Sequence, residues 1–295
     1  MPEQSTEGHE KIGRANIAYH DLVADLYDGS EGEAFQYTEF FQTRLENIVS
    51  SLAEKSGGGA FLDIGCGTGK VLKHAEKVFE KAIGIDVSFN MLKIANKRGY
   101  QVLEADALSL PFKDETFDVV SIYSVLHHIY DYTSIFHEIS RVMKRKGLLY
   151  TDWDPNRVQD SNPNGWPLIR RLRKVRTALT RQLLDAGHKS MINEAVYTEV
   201  ELQKKIDKEL MEEAEYHNIG EGRIRGIDFK LIKQTLLAEG FVNITPKYHW
   251  HGHTLDQIIS GSRITSTRVL LRTIKILGIE IERHMENIQI TATKR

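Results

Sequence analysis

Two kinds of apolar pattern alternate along this 295-residue chain. One is a short, nearly continuous run that ends at an acid or a small polar residue. The other is a longer stretch whose apolar positions recur at three and four. Continuous runs predict strands buried on both faces, since such a strand has no polar side to present. They fall at residues 60–64, at 82–85 before Asp86, at 101–103 leading to Asp106, at 117–123 before Ser124, and at 147–151 before Asp152. Among the helical patterns, Ile17, Ala18, Leu22, Val23 and Leu26 share one face of residues 15–27, and the polar first dozen residues are expected to fray. Phe41, Leu45, Ile48 and Val49 mark a second helix over 40–52. Near the other end, 228–239 reads as a helix with Phe229, Ile232, Leu236 and Leu237 inward and Gly240 as its stop. It is followed by a sixth strand at 241–250 and a seventh at 287–293.

Strands alternating with helices predict an α/β fold with a parallel sheet wound on both faces. In such sheets ligands gather outside the carboxyl ends of the strands. Two segments exceed what a compact sheet of this kind needs, 155–227 and about 252–284. The first follows strand five and the second strand six, so both emerge on the ligand side, where they would form helical caps. The expected organisation is a core with N-terminal helices at 1–154, a cap insertion at 155–227, and a completion of the sheet at 228–295 that carries the second insertion.

Composition narrows the class. Hydrophobic residues at 41% and charged residues at 27% leave enough apolar side chains for a sizeable core. A net charge of −2 argues against a whole-protein nucleic-acid footprint. The single cysteine, Cys66, allows no internal disulfide and fits a reducing compartment. The first 14 residues, with Glu3, Glu7, Glu10 and Lys11, do not read as a secretory signal. No apolar run approaches the roughly 20 residues needed to span a bilayer. A soluble, cytoplasmic protein is the expectation.

The chemistry concentrates after the first strand, in Gly65-Cys66-Gly67-Thr68-Gly69-Lys70. Glycines at alternate positions permit a sharp turn and a close approach by a ligand. A helix start behind the turn adds free N–H groups and partial positive charge. The dinucleotide fingerprint is excluded because Lys70 stands where its third glycine belongs, and the phosphate-loop spacing is absent. What remains is hydrophobic-hydrophobic-Asp63-x-Gly-x-Gly-x-Gly. It closely resembles the first motif of class I S-adenosylmethionine-dependent methyltransferases. Leu110-Pro111-Phe112 followed by Phe117-Asp118, then His127-His128 after strand four, are similar to the quinone and small-molecule methyltransferases of the type 11 group. That group's "KPGG" turn is here Lys144-Arg145-Lys146-Gly147. The resemblance covers about residues 19–151 well and 228–240 weakly.

The resemblance implies a Rossmann-like, seven-stranded, mostly parallel sheet with helices on both faces, plus the cap insertions. It implies S-adenosylmethionine as cofactor and S-adenosylhomocysteine as product. The cofactor would rest on Gly65, Cys66, Gly67 and Gly69 beneath Asp63. Asp86 would hold its ribose, Val87 and Met91 would pack on its adenine, and Asp106 with Ala107 would read the adenine edge. Ser124 follows strand four at the same end of the sheet, and Tyr27, with Tyr19 and Tyr37 as alternatives, belongs to an N-terminal element that closes over the site. Three residues are candidates for work on the acceptor: His128, Asp154 from Asp152-Trp153-Asp154, and His251 from His249-Trp250-His251-Gly252-His253. The histidine spacing permits a metal, but no cysteine or nearby acid completes it, so none is expected.

The expected activity is methyl transfer to an O, N or C atom of a small or lipid-like molecule, without a nucleic-acid partner. Basic amphipathic helices at 168–183 and around Val269–Leu277 keep peripheral membrane contact open. A SAM-sensing protein without methyl transfer is one alternative. An RNA or protein methyltransferase docking through the basic helix at 168–181 is another.

Overall fold

The structure is a computed structural model, described for residues 2–29, 39–157, 210, 214, 226–249 and 287–295. Helix α1 (Pro2–Val23) starts well before the apolar stripe that marks it. The polar residues ahead of that stripe include Glu and Lys, which favour a helix as much as many apolar ones do. A 3-10 helix (Ala24–Gly29) follows, and α2 (Glu39–Ser56) buries Phe41, Leu45, Val49, Leu52 and Ala53.

Strand β1 (Ala60–Ile64) runs through the glycine turn into a single-turn helix, α3 (Leu72–Ala75). Then come β2 (Lys81–Asp86), α4 (Phe89–Lys97), β3 (Val102–Glu104) and β4 (Phe117–Tyr123). A 3-10 turn (Leu126–His128) and α5 (Ile135–Val142) lead to β5 (Met143–Pro155). The chain closes with α6 (Phe229–Ala238), β6 (Phe241–His249) and β7 (Asn287–Lys294). Two helices start on side-chain acceptors: Ser88 Oγ receives Met91 N at 3.2 Å at the start of α4, and Asp228 receives Lys230 N at 2.8 Å at the start of α6.

The seven strands form one sheet in the order β3-β2-β1-β4-β5-β7-β6. Strands β1 to β5 pair in parallel, and β7 runs antiparallel to both β5 and β6. The fold is thus the Rossmann-like, mostly parallel sheet that the pattern predicts. Strand β5 is longer than the expected 147–151, because both its edges are paired: Met143 opposite Phe117 in β4, and Pro155 opposite Asn287 in β7.

Alternation along the strands feeds two cores. Leu62, Ile64, Val120, Ile122 and Leu149 join Phe136 and Ile139 of α5 and Ile232 and Leu236 of α6 on one face. Phe61, Val119 and Tyr150 join Leu45 and Val49 of α2 and Leu92 of α4 on the other. Helices on both faces explain why β1 and β4 read as unbroken apolar runs.

The expected helical caps, with the basic helix at 168–183 and with His251 and His253, lie outside the described residues apart from 155–157, 210, 214 and 226–227. Among the described residues no helix is long and apolar enough to cross a membrane.

Candidate active site

The carboxyl ends of β1, β2 and β4 open into a cleft with about 1270 Å³ of non-protein space, its mouth included. Its floor is the glycine turn. Gly65, Gly67 and Gly69 all adopt positive φ (66°, 51° and 94°). Gly65 has no room for more: a Cβ there would stand 2.4 Å from Val125 Cγ2. Gly67 has nothing within 4 Å of such an atom and leaves the floor open. Cys66 N donates to Ile85 O at 2.9 Å, stitching the turn to β2.

Three acids surround this floor. Asp86 accepts Gly67 N at 2.8 Å through Oδ2 and Ser88 N at 2.9 Å through Oδ1. Each carboxylate oxygen has two lone pairs, so both oxygens retain capacity for a ligand. Asp106 accepts Leu108 N at 2.9 Å. Asp63 is 1% exposed, and its Oδ1 has no hydrogen-bond partner. Burial pushes its carboxyl from 3.8 to about 8, with the Ser121 hydroxyl opposing and the charge of Asp86 adding to the rise. Burial, with Asp86 and Asp63 nearby, also raises the Cys66 thiol well above its ordinary value.

The expected site residues distribute unevenly. Gly65, Cys66, Gly67 and Asp63 line the cleft. So do Asp86, Val87 and Met91 from the β2–α4 corner, Asp106 and Ala107, Ser124, and Tyr27. Gly69 is not in the lining. A Cβ on it would stand 2.2 Å from Tyr100 Cδ2, which makes it a requirement of the turn and its packing. Ser124 carries a left-handed backbone (φ 61°) and donates its N–H to Asp152 O at 2.8 Å.

Of the three acceptor-side candidates, His128 lines the cleft, with Nδ1 2.8 Å from Ala214 O. His251 lies outside the described residues. Asp154 does not line the cleft. It is fully buried, and its Oδ1 receives the ring of His127 at 2.8 Å. Strand β5 is irregular between Asp152 and Asp154. Trp153 takes φ 66°, and the pairing with β7 shifts between Thr151 and Asp154.

Asp152 is likewise fully buried, at the centre of a network. Its Oδ2 accepts Arg44 Nη2 and Tyr150 OH, each at 2.6 Å, and its Oδ1 lies 2.6 Å from His249 Nε2. Burial alone would raise this carboxyl; Arg44 and His249 overcome burial and hold it well below the usual range. His249, read in sequence as part of a histidine cluster without an acid, has this one as its partner.

The far wall comes from the N-terminal helix. Ile12, Gly13, Asn16, Ile17 and His20 of α1 all line the cleft, at the spacing of one helical face. Asp21 holds the helix there: its Oδ1 accepts Ser88 Oγ at 2.6 Å and Asn90 N at 3.0 Å. Asp28 adds a second clasp, accepting Thr68 Oγ1 at 2.7 Å and Arg98 Nη2 at 2.5 Å. Tyr27 is the residue expected to close the site here, its alternative Tyr37 lying outside the described residues; Asn16 and His20 are additions from the structure. The signal available was the i, i+4, i+8 series Ile12, Asn16, His20, in which polar residues replace apolar ones on an inward face.

An orphaned acid oxygen beside a glycine floor suits a ligand that brings positive charge and hydrogen-bond donors, as the sulfonium, ammonium and ribose hydroxyls of S-adenosylmethionine do.

Comparison with known proteins agrees. Residues 62–151 match the family described as "Methyltransferase domain". Demethylmenaquinone methyltransferase of Staphylococcus saprophyticus is 32% identical over 151 residues, 45% of this chain and 63% of that protein. A probable tRNA methyltransferase 9B of Bos taurus is 34% identical over 103 residues, 35% of this chain and 22% of that one. The chain spans about half the length of the first curated relatives it matches, 51% and 56%. Among solved structures, a SAM-dependent methyltransferase from Archaeoglobus fulgidus shares the fold, with a TM-score of 0.53 and 18% identity over 89% of this chain and 97% of that one. Residues 62–151 thus match a methyltransferase domain, set in a fold shared with a SAM-dependent methyltransferase.

Proposed function

We propose that this protein transfers the methyl group of S-adenosylmethionine to a small or lipid-like acceptor. The observation that carries the reading is the placement of Asp63, Asp86 and Asp106 around one glycine floor, each at or near the carboxyl end of a successive strand. In this reading Asp86 holds the ribose hydroxyls, Val87 and Met91 flank the adenine, and Asp106 with Ala107 reads its edge. Asp63 balances the positive charge. The bound cofactor supplies a methyl group on a good, neutral leaving group. The chain's own task is to align the acceptor with that methyl and keep water out, and alignment supplies about 7–11 kcal/mol of barrier reduction in well-oriented systems. Residues 155–227 and 252–284 are proposed as the cap that selects the acceptor.

A metabolite-extract screen with methyl-labelled S-adenosylmethionine tests the reading. Transfer of label to an extractable small molecule supports it; binding of the cofactor with no transfer to any fraction removes it in favour of a SAM-sensing role. A second reading, an RNA acceptor, draws on relatives named as tRNA methyltransferases. Label appearing in the RNA fraction would favour it, and the net charge of −2 counts against it.

A further inference from the structure

The α1 wall of the cleft carries two polar groups to which the methyl-transfer reading gives no task. Asn16 Nδ2 donates to two main-chain carbonyls, Ile12 O at 2.9 Å and His128 O at 2.8 Å. Carbonyl oxygens only accept, so the amide nitrogen must be the atom facing them, and the orientation of the amide follows. Its oxygen, Oδ1, is left buried without a hydrogen-bond partner, on a residue that is 7% exposed and lines the cleft. A buried acceptor in that state is unfavourable until a donor reaches it.

One turn further, His20 Nδ1 lies 2.9 Å from Asn16 O. The same rule puts the proton on Nδ1, so Nε2 of the uncharged ring presents a lone pair. His20 also lines the cleft, and its ring meets that of His128 edge-on, with centroids 4.9 Å apart. Ile12 and Ile17 give the rest of this wall an apolar surface, and none of the α1 residues in the lining is Lys or Arg. The wall therefore offers acceptors set in apolar surroundings.

We propose that Asn16 and His20 form the methyl-acceptor subsite, and that this subsite takes a molecule whose reacting atom is a nitrogen or oxygen bearing hydrogen: an amine or a hydroxyl on an apolar body. The inference rests on the methyltransferase reading and narrows its acceptor. Asn16 Oδ1 and His20 Nε2 receive the acceptor's N–H or O–H. The lone pair of that nitrogen or oxygen forms the new bond to the methyl carbon. The carbon–sulfur bond breaks with its electron pair staying on sulfur, which leaves as a neutral thioether. The acceptor's proton passes to His20 Nε2 and afterwards to water. A carbon acceptor has no hydrogen of comparable donor strength to offer this wall.

The test compares probes that differ only in the methyl cap. The full chain, labelled with ¹⁵N-histidine and saturated with S-adenosylhomocysteine, is titrated with phenol against anisole and with aniline against N,N-dimethylaniline. His20 is expected to show the Nδ1-protonated tautomer. Phenol or aniline should bind at least tenfold more tightly than its capped partner and move the Nε2 resonance. His20→Gln, which keeps an acceptor, should retain the preference within about threefold, whereas His20→Phe should abolish it. Asn16→Asp, which keeps Oδ1 but loses the donor that docks α1, separates acceptor loss from helix displacement: it should retain the preference. Equal affinity for capped and uncapped probes, or no response to any of the four, with S-adenosylhomocysteine bound, overturns the subsite alone. Failure to bind S-adenosylhomocysteine overturns the methyltransferase reading and the subsite with it.

Discussion

Asp63 should make cofactor binding release a proton. Its carboxyl is fully buried with one oxygen unsatisfied, and its pKa stands at about 8 against 3.8 for the free side chain. The folded value lies above the unfolded one, so the empty native state holds a proton that the unfolded chain has lost. Stability from this group is therefore greatest below about pH 4 and falls by about 1.4 kcal/mol per pH unit until about pH 8, where it levels off. At pH 7 the accumulated loss is about 4 kcal/mol, so Asp63→Asn should raise the melting temperature of the empty protein by several degrees at that pH and by little at pH 4. A cationic ligand reverses the balance, because a positive charge beside the carboxyl favours its ionised form. Calorimetric titration with S-adenosylmethionine at pH 7, in phosphate and in Tris, reads the released protons from the dependence of the enthalpy on the buffer. Close to one proton is expected at pH 7, falling towards zero by pH 9. Asp63→Asn should remove this contribution. A buffer-independent enthalpy at pH 7, or the same release from Asp63→Asn, refutes the reasoning.

Three further outcomes follow from the packing. Gly67→Ala should lower stability by about 1–2 kcal/mol, the cost of a left-handed alanine, while Gly69→Ala should cost more, because its methyl also meets the Tyr100 ring; paired denaturant melts measure the difference. Arg44→Met should destabilise by about 3–5 kcal/mol at neutral pH, since it strands the buried Asp152 carboxylate. The loss should shrink as acid protonates that carboxyl, whose depressed folded value makes its contribution present above about pH 4 and lost below it. Removal of residues 287–295 deletes β7, and with it Ile288, Ile290 and Ala292 from the core; a thermal melt followed by circular dichroism should lose its cooperative transition.

What could be read in the sequence was what is local. The glycine turn, Asp63, Asp86 and Asp106 each sit at a strand end marked by its own apolar run, so a few residues of pattern locate them. The parallel sheet wound on both faces followed from the same alternation, whereas the spatial order of its strands is a finding of the structure. The relations that shape the cleft wall are long-range and leave no such pattern. Asn16 reaches His128 across 112 positions, Asp21 reaches Ser88 across 67, and Arg44 reaches Asp152 across 108. Asp154 illustrates the cost: its place at the end of strand five suggested the mouth, but next to a left-handed residue, Trp153, and a register shift against β7 it is buried on His127 instead. The start of α1 was missed for a different reason, since helix-favouring polar residues extend a helix without adding to its apolar stripe.

The position of β7 also fixes an order of assembly during synthesis. Strand β6 leaves the ribosome before β7, yet its sheet partner is β7, which lies between it and β5. Strands β1 to β5 can pair as they emerge, each beside a neighbour already made. Strand β6 and its helix must wait with their hydrogen-bonding edge open until residues 287–294 arrive. In the nascent chain the cofactor half can therefore form early, while the last two strands join together, as one hairpin-like event that closes the sheet.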